Sequence, residues 1–144
     1  MPTPTNTPPG FLRRLGAMTY DTILLIAVLI MLSYPYVWLT GGDKPSFWVR
    51  TIYQIYLLSI CFLFYAGPWI RGGQTLGMRS WRLKLERRDG GAITWPIAFK
   101  RFIFALLSFF LLGLGFLWIL HDRDKLAWHD RWSGTRMILV PKQA

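Results

Sequence analysis

The feature that most constrains this chain is the spacing of its charges, which leaves three long stretches with none. Asp21 and Asp43 bracket 21 uncharged residues, Arg50 and Arg71 bracket 20, and Arg101 and His121 bracket 19. A helix crossing the hydrocarbon core needs about 20 predominantly apolar residues, so each stretch passes the length test. A soluble chain rarely does so three times. The composition agrees: 53% of residues are hydrophobic and only 17% charged, against roughly 25% charged in soluble domains. Tyr34, Tyr36 and Trp38 close the first stretch, and Phe47, Trp48 and Tyr53 open the second, as expected of amphipathic rings at headgroup level. The chain therefore reads as an integral membrane protein with spans over about 19–40, 51–70 and 102–120. The first span is a retained anchor, because its apolar run is longer than that of a signal peptide and continues into Ser33-Tyr34-Pro35-Tyr36, poor cleavage chemistry. Residues 1–10, with four prolines and three threonines, are expected to form a disordered tail. Residues 11–140 then form a single membrane domain and 141–144 a second tail, and Pro35 is expected to kink or end the first helix.

Orientation follows from Lys and Arg in short loops, while acidic residues count little. Two such cations precede the first span, two lie between the first and second, eight between the second and third, and five in the tail. Three full spans with the N-terminus inside divide them 10 to 7, whereas a third segment that enters and returns divides them 15 to 2. Gly113-Leu114-Gly115 interrupts that segment near its middle, where a return needs backbone freedom. Strand-like stretches flank it. Trp81, Leu83 and Leu85 alternate with Arg82, Lys84 and Glu86, and Asp89-Gly90-Gly91 is turn chemistry leading to Ala92-Ile93-Thr94 as a second hairpin arm. Thr135–Val140 reads as a third strand, which can pair only if the tail shares the loop's side. The expected fold is thus an all-α membrane protein with two transmembrane helices, a third, re-entrant apolar helical segment, and a small cytoplasmic β-hairpin or three-strand element. The competing reading is a plain third span.

Motifs for chemistry are sparse. Gly72 and Gly77 have phosphate-loop spacing, but Met78 stands where the phosphate-gripping lysine belongs. His121 and His129 are eight apart and do not share a helical face as a zinc pair does, Ser133 sits in no nucleophile elbow, and Cys61 lies alone inside a span. No enzyme, cofactor or metal is expected. The segment 71–101 carries eight cations against Glu86 and Asp89, a composition that anionic lipid headgroups explain more simply than nucleic acid, at about 1 kcal/mol per cation near the surface. Arg14 and Asp21 share a face of the first helix but lie roughly 10 Å apart along its axis, too far to pair directly. Asp21 enters the span where the apolar run begins. It reads either as a functional intramembrane acid or as an ordinary acid in the first turn of a helix.

Three separated pieces together resemble the RDD family of small, mainly bacterial integral membrane proteins: Arg13-Arg14-x2-Ala17-x3-Asp21, Gly73-Gln74-Thr75-Leu76-Gly77, and His129-Asp130-x3-Gly134-Thr135. The resemblance runs from about Gly10 to Val140. It implies that the family's arginine is Arg14 or Arg13, its first aspartate Asp21 and its second Asp130, with Gly73, Thr75, Gly77 and Arg101 at other favoured positions. Met78 departs from the lysine common after the glycine, and Arg79 is a substitute one residue on. The family's activity is unsettled, and transport of some ligand or ion is what the resemblance implies. Two functions follow as expectations. One is ion or solute transport by a homo-oligomer in the bacterial inner membrane, with Asp21 as the intramembrane acid, Arg14 or Arg101 as its counter-charge and Asp130 fixing the tail. The other is a non-transporting scaffold, docking a partner or anionic lipid, in which these residues are structural ties.

Overall fold

The computed structural model describes residues 8–41, 43–111 and 113–141. Two long helices dominate it, α1 (Phe11–Thr40) and α2 (Phe47–Gly72). Both are long and apolar enough to cross a membrane, and they display apolar side chains on their surfaces: Ile23, Ile30, Leu39 and Leu63 are all more than half exposed. In water such surfaces are a liability, whereas lipid solvates them, and the helical backbone satisfies its own polar groups there. Polar and aromatic contacts link the two helices. The Tyr36 and Tyr53 rings stack with centroids 3.8 Å apart, and the Tyr53 hydroxyl donates to Ser33 Oγ at 2.7 Å. The helix α1 continues through Pro35 to Thr40 rather than ending at the proline.

Beyond α2 the elements become short. Helix α3 (Leu76–Ser80) leads into strand β1 (Leu83–Arg87), and Pro96 in the first turn of α4 (Trp95–Phe110) opens the third apolar segment. That segment is not one straight helix. Helix α4 and the following pair, α5 (Leu114–Leu117) and a 3-10 turn over Trp118–Leu120, are bent by 105° from one another. The chain closes with α6 (Trp128–Ser133) and β2 (Thr135–Leu139).

The two strands pair antiparallel, Leu83 opposite Leu139 and Arg87 opposite Thr135. The expected strand in the tail is therefore present, but the hairpin arm expected at Ala92-Ile93-Thr94 is not. Those residues are extended chain leading into α4, and the place beside β1 is taken by a strand some fifty residues later. The turn chemistry itself is real: Gly91 N–H donates to Asp89 Oδ1 at 3.0 Å. Leu83, Leu85, Ile93, Met78, Trp69, Ala66, Ala98 and Ala17 form the buried core, so the packed interior lies in a head where the first-half helix ends meet the short elements. Pro9 is buried, so order extends into the N-terminal stretch expected to be a tail. The remainder of that expectation, residues 1–7 and 142–144, lies outside the described residues.

Candidate functional site

Two buried polar clusters hang on α1, two helical turns apart. The first is centred on Asp130. It sits in the first turn of α6, is wholly buried, and reaches back so that the Ala127 N–H donates to its Oδ2 at 3.2 Å. Arg14 on α1 donates from Nη1 to Oδ2 at 2.6 Å, and Arg101 on α4 donates from Nη1 to Oδ1 at 2.5 Å. Both arginines are at least 97% buried, with 3% and 1% of their surface exposed. Their remaining contacts are also specified. Arg14 Nη2 donates to the Lys125 carbonyl at 2.9 Å, Arg101 Nη1 also donates to Thr135 Oγ1 at 2.7 Å, and the Arg101 guanidinium lies 5.2 Å from the centroid of the Trp69 ring. Ser133 completes the cluster, 2.8 Å from Thr135 Oγ1 and donating to the His129 carbonyl. One carboxylate thus joins α1, α4, α6 and the start of β2.

The electrostatics of this centre are lopsided. Burial alone would raise the Asp130 carboxyl, but the charges of Arg101 and Arg14 and the hydrogen bond from Arg101 hold it well below the usual carboxylate range. His129 is buried with its Nε2 3.6 Å from Asp130 Oδ1, beyond hydrogen-bond range, and its ring lies 4.8 Å from that of Phe116. Burial, followed by the nearby Arg101 and Arg14 charges, depresses it from 6.5 to about 3 despite the opposing pull of Asp130, so it is neutral at physiological pH. Two guanidinium groups therefore face one carboxylate, leaving the cluster with one net positive charge.

The second cluster is centred on Asp21. Its Oδ2 accepts from the Thr75 hydroxyl and its Oδ1 from the Gly77 N–H at 2.9 Å. Thr75 is the N-cap of α3 and in turn accepts from Met78 N–H at 3.2 Å. Gly77 is dictated by this approach: a Cβ there would fall 2.3 Å from the Ala17 carbonyl oxygen and 2.9 Å from Asp21 Cγ. Ala17 itself is buried in the core. Gly73 is required twice over, because its φ is +70° and a Cβ would lie 2.4 Å from the Leu85 carbonyl oxygen.

A family model described as the RDD family matches residues 8–134. The chain belongs to the RDD family. Comparison with curated proteins and with solved structures returns no significant match. Its family and its two apolar helices make it a membrane protein. The geometry also sorts the residues that the RDD resemblance singled out. Arg14 enters the Asp130 centre, and Arg13 makes none of its bonds. Arg101, Thr135 and Asp130 come together there with His129 beside them, while Gly134 ends α6 in the left-handed region. Thr75 and Gly77 meet Asp21, and Gly73 meets β1. The expected pairing of Asp21 with Arg14 or Arg101 does not occur, because Asp130 engages both arginines and the rise of α1 keeps Arg14 and Asp21 on separate turns. Met78 is buried in the core, so an apolar side chain suits the place where a lysine is common, and Arg79 is exposed. Sequence reasoning missed Trp69, Ser133, the Lys125 carbonyl and the Ala127 N–H as members. The Asp130–Ala127 spacing, a helix-capping offset of three, was the one local signal available for any of them.

Proposed function

We propose that this RDD protein is a non-enzymatic, membrane-anchored scaffold whose cationic head engages anionic lipid headgroups. The observation that carries the reading is that both signature aspartates are engaged in ties between elements: Asp130 joins the tail to α1 and α4, and Asp21 joins α3 to α1. Among the cations not used in these ties, Arg71, Arg79, Arg82, Arg88 and Lys100 are exposed on the head.

The site of action is the cytoplasmic face of the bacterial inner membrane. The β1–β2 pairing and the Arg14–Asp130 bond hold the start of α1, the segment 71–101 and the tail together at one end, which supports the 15-to-2 division of cations and a third segment that bends back. Reporter fusions at Ala144 test this placement: a fluorescent, phosphatase-inactive C-terminus is expected, and alkaline-phosphatase activity there defeats it.

One observation favours a second reading, ion or solute transport by an oligomer. Asp21 is a buried carboxylate held by a hydroxyl and an N–H, and it takes part in no ion pair among the described residues. That leaves it free to exchange a proton. Proteoliposomes separate the two readings. The scaffold reading expects no cation flux that depends on Asp21, with Asp21→Asn and Asp130→Asn both lowering thermal stability. Flux that disappears in a stable, assembled Asp21→Asn variant establishes transport instead.

A further inference from the structure

A cleft of about 290 Å³ opens beside the Asp130 centre, between the entry to α1, the end of β1, residues 123–126 and β2. Four arginines line it, Arg14, Arg88, Arg123 and Arg136, against a single carboxylate, Asp124. We propose that this cleft binds a phosphate-bearing anion, supplied either as the headgroup of an anionic phospholipid or as free phosphate. The proposal deepens the docking reading by giving it a specific site.

The cleft has a fixed base and an adaptable rim. At the base, Arg14 is held by Asp130 and by the Lys125 carbonyl, and its buried Nε has no partner. The Arg136 Nε is likewise buried without a partner, and its Nη2 makes only a loose contact with Glu86 at 3.9 Å. At the rim, Arg88 and Arg123 are exposed and enter none of the ion pairs among the described residues. The surrounding backbone is nevertheless anchored. Arg88 N–H donates to the Gly134 carbonyl at 2.9 Å, and Asp122 holds the 122–131 segment by accepting from Leu126 N–H at 2.9 Å and from Arg131 Nη2 at 2.8 Å.

Three lines of chemistry converge on phosphate. Guanidinium groups match its oxygens in paired, charge-assisted bonds. Four cations against one carboxylate favour an anion of more than one charge over chloride or a lone carboxylate. The Asp130 centre does not cancel this excess, because Arg101 balances Asp130 and Arg14 is already among the four: cleft and centre together keep three net positive charges for an anion to offset. The cleft also lies at the entry to α1, on the head that the docking reading places against the membrane surface, where lipid phosphates are concentrated.

The test uses the full chain in neutral detergent and in phosphatidylcholine nanodiscs. Thermal unfolding is followed against inorganic phosphate at constant ionic strength set with chloride, since a ligand of the folded state raises the Tm with its concentration. Native mass spectrometry counts phosphatidylglycerol retained from mixed nanodiscs. The rim double variant R88Q/R123Q leaves the Asp130 centre untouched, and R71Q/R79Q removes the same charge elsewhere on the head. The expected result is that R88Q/R123Q weakens the anion response by about tenfold or more while R71Q/R79Q leaves it unchanged. A response to inorganic phosphate that also displaces phosphatidylglycerol identifies a site for the phosphate group from either source. Retained phosphatidylglycerol with no response to inorganic phosphate assigns the headgroup. Equal effects of the two double variants, or no response in either assay, overturn the cleft. Equal effects combined with a persisting preference for anionic bilayers overturn the cleft alone and leave the docking reading standing.

Discussion

The two aspartates of the signature are both buried, both tied to α1, and held in opposite ways. Asp130 is locked between two guanidinium groups, a backbone N–H and a neighbouring neutral histidine. Asp21 has a hydroxyl and one N–H as its hydrogen-bond partners. The difference separates a clasp that depends on charge from a joint that depends on shape. Removing one member of a buried ion set strands the others, at about 3–5 kcal/mol. A neutral isostere at a joint made by a hydroxyl and an amide keeps most of the geometry.

The comparison can be broken most directly at the clasp. Asp130→Asn leaves Arg14 and Arg101 facing no anion, so stability in detergent should fall by about 3–5 kcal/mol, seen as a collapse of Tm and of folded yield. The same centre imposes a pH dependence. His129 is neutral in the fold and carries a value of about 3 against 6.5 when free, so the unfolded chain binds a proton that the folded one does not. Stability therefore falls as pH drops from 6.5 toward 3, and the lowered Asp130 carboxyl adds to the loss below 3.8. Thermal melts across that range should show the slope, and His129→Gln should flatten its upper part. Thr135→Val removes one hydrogen bond from the Arg101 guanidinium and should cost about 1.5–3 kcal/mol. At the joint, Gly77→Ala should cost about 1–3 kcal/mol by forcing α3 off the Ala17 carbonyl, with circular dichroism melts as the readout. Asp21→Asn sharpens the contrast most finely. It keeps an acceptor for the Gly77 N–H and should cost only about 1 kcal/mol; a loss as large as that of Asp130→Asn would erase the distinction between clasp and joint.

Much of this was legible in the order of residues. The charge-free stretches located both long helices, and alternation across Leu83, Lys84, Leu85 and Glu86 located β1. The three signature pieces held five of the side chains that bond in the two clusters, Arg14, Asp21, Thr75, Asp130 and Thr135, and the family resemblance added Arg101. What could not be read was which partner each would take. Arg14 and Asp21 share one helix face, so local geometry invited a relation between them, whereas the actual partner of Arg14 lies 116 residues away. The same holds for the sheet. Asp89-Gly90-Gly91 is a genuine turn and suggested a local hairpin, but pairing is decided by which edge reaches β1, and that edge comes from the tail. Trp69 and Ser133 carry no periodic or motif signal, since a ring beneath a guanidinium and a hydroxyl beside a threonine are defined only once the helices cross.

The distance along the chain between Arg14 and Asp130 has a consequence for how the protein is made. At typical synthesis rates the arginine emerges on the order of ten seconds before its carboxylate does. Throughout that interval α1 stands at the bilayer with an unneutralised cation, and no rearrangement of the nascent N-terminal half can supply Asp130. Completion of the head therefore waits until α6 has been made. A ribosome that stops short of α6 releases a chain whose defect is a bare positive charge at the membrane boundary, a mark by which unfinished copies differ from finished ones.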